Sequence, residues 1–443
     1  MSRPGRLRPR TWRPRTWVLV LAALFALVQL STVTGRDTPD TKNYLAYALS
    51  LRGEDKRATA AVTIDYACAG RAARARREHS VDVLRFRAPS PAARVARACR
   101  AELWREVDTR LRAGQSAGHT LPFMSVRFMR IFEVRPGYPV FLIPFVTVLG
   151  ATWGLWAAGV AVTAAGGVLV YLVLRTRRVR VPVALTGQAL YYVLPCGTTA
   201  MRPMTEGLMM ALTLAALWGC ARALAGHRRS GYALVAGALL ALFTVKHSQA
   251  LFLGLCLAGA GAVVCGRRWA RRRPAGREVL VVTALAGCAV AGTLLAARAL
   301  HYPTESDSLQ DLLTDHYARP DRAHPWPELL RLEAHFWREW LRRQLWQPLF
   351  AALLAAGAWG ALRRGGRAFG AFVVAVGCTG LLNQAAHPDI TVWGDRLIVL
   401  AWLLPVMGVP LLLEAVAGRA AARTALPHQA GERGVTAADH SMG

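Results

Sequence analysis

Four ionisable side chains beside apolar segments are the residues of this sequence best suited to chemistry. They are Asp40, Glu206, Lys246 and Arg396. A charge at membrane depth costs a few kcal/mol, so a charged group at the end of a membrane span is a candidate functional residue. A cation such as Lys246 suits a lipid phosphate, and Arg396 could clamp a phosphate with its planar guanidinium. The pattern predicts phosphate recognition beside two carboxylates.

Each of these residues also has a structural explanation. Asp40 precedes a predicted helix, and Asp is a common helix N-cap. Glu206 near a helix N-terminus is favoured by the helix dipole without any function. Lys246 could snorkel to the membrane interface, and Arg396 could simply pair with Asp395. The sequence leaves both sets of roles open.

The composition predicts that a helical membrane bundle positions these residues. The chain has 443 residues, of which 54% are hydrophobic, and a net charge of +29. This apolar content excludes intrinsic disorder, and 8 Cys are too few for a disulfide scaffold. The basic residues lie in short clusters between apolar segments, which argues against nucleic-acid binding. The expected fold class is an all-α integral membrane protein, a polytopic helical bundle.

Ten apolar segments are predicted to span the membrane. They are residues 17–34, 153–174, 182–199, 204–224, 231–247, 248–265, 279–299, 346–362, 368–385 and 395–417. Five short segments hold 22 arginines and one acidic residue, namely 1–16, 175–181, 222–230, 266–278 and 363–367. Arginine near span ends is retained in the cytoplasm, so we expect a multi-pass cell-membrane protein with both termini cytoplasmic.

This topology divides the chain into an Arg-rich cytoplasmic N-terminus (1–16), a membrane domain (17–417) and a disordered cytoplasmic tail (418–443). Two loops, 35–152 and 300–345, are predicted to face the exterior.

The first loop is expected to be partly helical. Ala92–Arg112 has apolar residues at helical spacing, and Cys68 and Cys99 lie where a disulfide could form, although spacing cannot show whether they pair. Tyr138–Gly150 is apolar but too short for a regular span, and a crossing there would invert the arginine pattern. We interpret it as an interfacial or re-entrant helix on the outer face.

The motifs taken together resemble the GT-C superfamily, the multi-span glycosyltransferases that take a sugar from a polyprenyl phosphate on the outer face. Its pattern D-x-x-x-Y-x-x-x-A followed by Gly resembles Asp40, Tyr44, Ala48 and Gly53. An R-P-x-Y-P-like stretch is similar to 135–139 (RPGYP).

Two further positions extend the resemblance. The acidic residue that opens a later span in many members resembles Glu206. The basic turn of aminoarabinose and mannosyl transferases is similar to 244–246 (TVK), with one residue inserted.

The resemblance implies a set of roles. Asp40 would be the general base and Glu206 would position the acceptor or the donor, so these two are the expected catalytic residues. Lys246 and Arg396 would neutralise the leaving lipid phosphate, with Arg135 as a further phosphate ligand. The expected substrate-binding residues are Tyr44, Arg135, Tyr138, Lys246, His247 and Arg396. The expected partners are a polyprenyl-phosphate sugar donor and membrane lipid.

Other functions stay open on the sequence. A transporter or flippase would carry charges near the bilayer midplane, where these spans have almost none. A surface-polysaccharide polymerase or ligase would place its working residues in the second loop, and a scaffold would have no chemistry. No CxxC or HExxH metal motif occurs, and the sequence leaves a divalent cation open as a cofactor. It does not define an oligomeric state.

Overall fold

The computed structural model describes residues 14–364, 366–392, 394 and 396–425. All regular secondary structure in these ranges is helical. The α-helices are α1 (Pro14–Gln29), α2 (Thr41–Leu51), α3 (Lys56–Ser80), α4 (Ala92–Arg112), α5 (Val126–Glu133), α6 (Gly137–Thr176), α7 (Val181–Val193), α8 (Pro195–Ala200), α9 (Thr205–Leu224), α10 (Arg228–Ala270), α11 (Arg277–Ala299), α12 (Glu305–Leu313), α13 (Pro325–Trp346), α14 (Leu349–Arg364), α15 (Arg367–Ala385) and α16 (Leu403–Ala425). Short 3-10 helices lie at Leu30–Thr32, Ile390–Val392 and Leu397–Trp402.

Seven helices in the described ranges are long and apolar enough to cross a membrane, or eight if the bent pair formed by α13 and α14 counts as one span. The seven are Pro14–Thr32, Gly137–Thr176, Thr205–Leu224, Arg228–Ala270, Arg277–Ala299, Ala368–Ala385 and Leu397–Ala417. These properties are those of a multi-pass membrane protein. The sequence predicts ten spans, and the difference arises where helices are folded back or interrupted.

Helix α10 is folded back on itself at Lys246, whose backbone is non-helical (φ −161°, ψ 98°). A straight helix of 43 residues would be roughly 65 Å long. Yet Arg228 at its start donates from Nε to Glu278 at the start of α11, at 2.8 Å. The short segment 271–276 cannot return the chain over that distance, since an extended chain covers only about 3.5 Å per residue. Two antiparallel arms therefore meet at Lys246.

A second reversal lies at Gly150 in α6. Its φ of +71° is in the left-handed region that favours glycine. A Cβ placed on Gly154 would lie 2.7 Å from the carbonyl oxygen of Phe145, which is impossible in a straight helix. The apolar arm 137–149 thus packs back against the longer arm that follows it. It adds an arm to one end of the bundle and does not reach the other end.

Contacts between helix ends define two ends of the bundle. At one end, which we call the arginine end, Arg180 donates from Nε to Glu414 at 2.9 Å, and Arg228 pairs with Glu278. At the opposite end, which we call the site end, Thr41 donates to the carbonyl oxygen of Pro203 at 3.0 Å. Helices α7 and α8 connect the two ends, because they run from Arg180 to the segment before Pro203 with a break at Pro195. The break explains why neither piece alone is long enough to span.

The first long loop forms a helical layer at the site end. Its predicted amphipathic helix is confirmed as α4, with Cys99, Leu103 and Val107 buried. The pairing that the sequence left open is made, since Cys68 of α3 and Cys99 form a disulfide. Ion pairs reinforce the contact, including one from Arg100 Nε to Asp65 Oδ1 at 2.7 Å. This layer holds α2 against the membrane bundle.

The chain ends of the described structure differ in part from the expected boundaries. Helix α16 continues to Ala425, beyond the expected span end at 417, because 418–425 (GRAAARTA) is rich in good helix formers. Residues 426–443 of the expected tail and 1–13 of the expected N-terminal segment lie outside the described residues.

Candidate functional site

Arg396, Asp40 and Glu206 meet at the site end of the bundle. The Nη2 of Arg396 forms an ion pair with Oδ2 of Asp40, and its Nε lies 3.7 Å from Oε1 of Glu206. The Glu206 side chain is only 5% exposed, and those of Asp40 and Arg396 are 23% exposed. The last span, the first loop and the start of α9 thus contribute one charged group each. Asp395, the other partner expected for Arg396, lies outside the described residues.

Asp40 is not a side-chain cap of α2. It occupies the N-cap position, but its φ and ψ of −79° and −25° are helical, and its carboxylate accepts no bond from the backbone of the first turn. Two other hydrogen bonds hold the start of α2 in place. The Thr41 hydroxyl donates to the carbonyl oxygen of Pro203, and the Thr38 N–H donates to the Thr41 hydroxyl at 2.8 Å. The Asp40 carboxylate therefore does not cap the helix and instead pairs with Arg396.

Tyr44 and Arg135 form the next part of the site. Tyr44 lies one turn after Asp40 and is buried, with 1% exposure. It interacts electrostatically with Arg135. Burial raises the pKa of Tyr44 to about 12, so the phenol is neutral at physiological pH. Tyr138 packs edge-on against the Tyr44 ring, with centroids 5.3 Å apart, and is itself buried. The two tyrosines thus form a buried aromatic contact next to Asp40.

Gly137 lies where the segment 135–139 (RPGYP) contacts the segment 244–246 (TVK). A Cβ at this position would lie 2.5 Å from the Thr244 hydroxyl oxygen and 2.9 Å from the Thr244 carbonyl carbon. Only glycine allows this approach. The close contact places the start of α6, next to Arg135, against the break in α10 that carries Lys246.

Five charged residues, Asp40, Arg135, Glu206, Lys246 and Arg396, form what we call the charged cluster. Lys246 interacts electrostatically with each of the other four, and Arg396 with both carboxylates. Three are cations and two are anions. Among the described residues, no carboxylate lies within salt-bridge distance of Arg135 or Lys246. The Nε atoms of Arg135 and Arg396 are buried and have no hydrogen-bond acceptor in the described part of the chain. The cluster therefore has surplus positive charge and unused donors.

His247 follows the break in α10 and lies at the edge of the charged cluster. Its ring stands 5.3 Å from that of Tyr302, and it interacts electrostatically with Arg135 and Lys246. Its Nδ1 is buried without a hydrogen-bond partner among the described residues. All eight residues expected at the site are thus brought to the same end of the bundle.

Sequence reasoning missed the polar contacts beneath the cluster. Thr205 donates to Oε2 of Glu206 at 3.2 Å. Deeper in the bundle, Asn383 donates to the side-chain oxygen of Gln249 at 2.6 Å, and the Gln249 amide lies 3.4 Å from the Thr213 hydroxyl. Neutral amides inside apolar spans were the available signal, because a buried amide needs a partner. The contacts of Asn383, Gln249 and Thr213 connect α15, α10 and α9.

The described residues contain no group of three or more His, Cys, Asp or Glu side chains arranged to hold a metal ion. The chain matches no protein-family model, no curated protein and no solved structure. Function must therefore be argued from the charged cluster and its surroundings.

Proposed function

We propose that this protein is a membrane glycosyltransferase that moves a sugar from a polyprenyl-phosphate donor to a hydroxyl acceptor. The observation that carries the proposal is the surplus of cations in a cluster that also contains two carboxylates. Arg135 and Lys246 have no carboxylate within salt-bridge distance among the described residues, and the buried Nε atoms of Arg135 and Arg396 have no acceptor there, so the cluster favours an anion. A phosphate accepts several hydrogen bonds from guanidinium groups at once.

The position of the cluster supports a lipid-linked phosphate. The charged cluster lies where α9, the α10 reversal and the last span reach the site end. Helices with exposed apolar side chains lie beside it. The first arm of α6 follows Arg135 directly and exposes apolar side chains, of which Val148 is 79% exposed. A polyprenyl chain could lie along such surfaces while its phosphate enters the cluster.

The proposed topology has ten crossings. The fold-back of α10 supplies two crossings, α7 with α8 supplies one, and α14 another, in addition to the remaining apolar helices. The short arginine-rich segments then all lie at the arginine end, opposite the charged cluster. By the positive-inside rule that end is cytoplasmic, and the cluster faces the exterior of the cell membrane. Both termini would be cytoplasmic.

Membership of the GT-C superfamily is part of the proposal. The motifs that suggested it are far apart in sequence, yet Asp40, Arg135 and Glu206 converge on one cluster, as a shared site requires. Gly137, in the RPGYP stretch, contacts the TVK turn directly. This convergence supports the resemblance because a shared active site would bring the motifs together.

In the proposed reaction an acceptor hydroxyl attacks the anomeric carbon of the donor sugar. Its proton passes to the Asp40 carboxylate, and the new C–O bond forms as the bond from the anomeric carbon to the phosphate oxygen breaks. The polyprenyl phosphate leaves with that electron pair, and Arg135, Lys246 and Arg396 stabilise its charge. Glu206 holds Arg396 in place. No step requires a metal ion, although a divalent cation bound with the donor would be compatible with the site.

Arg396 connects donor binding to the base. Arg396 pairs with Asp40, so the guanidinium occupies the carboxylate that an acceptor hydroxyl would have to reach. A donor phosphate competes for the same guanidinium, so its arrival would loosen the pair. Asp40 then becomes available to the acceptor only when the donor is bound, which limits wasteful hydrolysis.

Sugar transfer in proteoliposomes tests the proposal. A panel of labelled polyprenyl-phosphate sugars, including mannose, glucose and aminoarabinose, is supplied with a mixture of glycan and lipid acceptors. We expect label to move from one donor, and Asp40→Asn to reduce the rate by about 10²–10⁴-fold. Asp65→Asn is the matched control, since Asp65 is an exposed carboxylate of the same loop paired with Arg100. Absence of transfer from every donor with well-folded protein, together with net movement of a lipid across the bilayer, would instead indicate a flippase.

A further inference from the structure

A cavity of about 510 Å³ lies between α12, α13 and the turn at 387–390. Its polar lining includes Asp311, Asp315, His316, Glu339, His387 and Asp389, and Leu332 and Phe336 supply apolar surface. Ring contacts connect the cavity to the site: His316 stands 4.7 Å from the Phe128 ring, Phe128 packs against Phe132, and Phe132 packs against Tyr44. His316 also interacts electrostatically with Asp40. None of its residues has a role in the reaction described above.

We propose that this cavity binds the acceptor and that the acceptor is an uncharged saccharide. The inference rests on the proposed function, because it assigns the second substrate of the same site. The position of the cavity suits an acceptor. An acceptor hydroxyl must reach Asp40, and the cavity lies in the second long loop, connected through aromatic contacts to Tyr44, one turn after Asp40.

The charged cluster and the cavity differ in their net charge. The charged cluster has surplus cations, whereas three aspartates of the cavity have no Lys or Arg partner among the described residues. Asp311 is bonded to His316 at 3.1 Å and Asp389 to the Thr391 hydroxyl at 2.7 Å. The fourth carboxylate, Glu339, is already neutralised by Arg342 and Arg343. Like-charge repulsion would therefore keep the donor phosphate, or an anionic acceptor, out of the cavity.

The cavity lining combines carboxylates, imidazoles and apolar side chains, a mixture that suits a sugar. Carboxylates accept hydrogen bonds from sugar hydroxyls, and imidazoles can donate or accept. The hydrogen bond to Asp311 raises the pKa of His316, and burial lowers the pKa of His387, so the two rings offer different hydrogen-bonding states. Phe336 and Leu332 can cover the apolar face of a sugar ring. The volume falls within the range of roughly 300–1,000 Å³ that is typical of small-molecule sites.

Direct binding measurements test this assignment without any donor. The probes are methyl β-glucoside and methyl β-glucuronide, which differ only in a hydroxymethyl and a carboxylate group. They are titrated into purified wild-type protein and followed by saturation-transfer NMR. We expect saturable binding of the glucoside and binding of the glucuronide that is weaker by about tenfold or more.

The variants are Asp315→Asn and Asp389→Asn, with Glu328→Gln as the matched control. Glu328 lies on α13, which borders the cavity, but it is not part of the lining and faces Arg322, with 3.6 Å between the charged atoms. We expect the two aspartate variants to weaken glucoside binding several-fold and to narrow the difference between the probes, and the control to change neither. Equal affinity for the two probes, no binding of either, or unchanged binding in both aspartate variants would overturn the assignment.

Failure of this inference can be told apart from failure of the proposed function. Sugar transfer with an acceptor KM that Asp315→Asn and Asp389→Asn leave unchanged would preserve the glycosyltransferase and remove the cavity as its acceptor site. Selective glucoside binding by a protein that transfers no sugar would retain a saccharide site and remove the transferase.

Discussion

Arg396 forms an ion pair with Asp40 across 356 residues of sequence. The pair joins the start of the last membrane helix to the first helix of the long loop, and the Arg396 Nε also lies 3.7 Å from nearly buried Glu206. One guanidinium therefore holds two carboxylates whose mutual repulsion would otherwise separate the elements that carry them. Structure and proposed chemistry depend on the same three side chains.

Removal of Arg396 should destabilise the protein more than removal of either carboxylate. Arg396→Gln leaves Glu206 without its nearest cation, and we expect a loss of about 3 kcal/mol because an unpaired charge stays buried. The double variant Arg396→Gln with Glu206→Gln should recover part of that loss. Thermal unfolding in detergent micelles checks this. A double variant that loses the sum of the two single effects would show that the two side chains are not coupled.

Gly137→Ala should disrupt the site although it introduces only a methyl group. The new Cβ would overlap with Thr244 at 2.5–2.9 Å and push Arg135 away from Lys246. We expect an overpacking cost of about 1–3 kcal/mol and loss of polyprenyl-phosphate binding. Gly237→Ala is the control, since no atom lies within 4 Å of a Cβ there. Equal phosphate affinity in both variants would contradict the contact.

The disulfide should be needed to hold the loop layer together. Cys68→Ser with Cys99→Ser is expected to destabilise the layer by about 3 kcal/mol, since the bridge closes a loop of sequence separation 31. Cys288→Ser, at an exposed free cysteine, should have no effect. Trypsin cleavage in the exposed segment between α3 and α4 gives a second readout. The two halves should stay linked until reductant is added, and separation without reductant would exclude the bridge.

Much of the architecture follows from the sequence because membrane burial imposes strong patterns. Helix α4 has the predicted bounds, and the apolar segments become helices. The expected boundary between spans 231–247 and 248–265 coincides with the reversal in α10, and the expected re-entrant segment ends at Gly150, where α6 reverses. What periodicity could not show is the backbone conformation that makes these reversals, a left-handed glycine at Gly150 and an extended residue at Lys246.

The sequence singles out the residues that meet in the charged cluster, but it does not show their contacts. Asp40 fits an N-cap equally well in sequence, and only its pairing with Arg396 distinguishes the two roles. His316 and His387 could not be placed beside the cluster from their spacing, because the second loop must fold before they approach it. Contacts over hundreds of residues depend on tertiary packing that no short pattern specifies.

Reporter fusions should separate the two ends of the bundle. An alkaline phosphatase domain fused after Gln115 or after Asp321 should be active, since both positions belong to the proposed exterior loops. Fusions after Arg178 or Arg272 should be inactive, because arginines at the opposite end are retained in the cytoplasm. Activity after Arg178 would reverse the proposed orientation and place the charged cluster on the cytoplasmic side.

The most direct measurement of the central claim compares donor binding with sugar transfer in Asp40→Asn. Binding of a polyprenyl phosphate to the purified variant and the rate of transfer in proteoliposomes are determined side by side. The account predicts binding at least as tight as in the wild type, because Arg396 is released to the phosphate, and a transfer rate lower by about 10²–10⁴-fold. A variant that transfers sugar at the wild-type rate, or that loses binding and transfer in equal measure, would contradict the assignment of Asp40 as the general base.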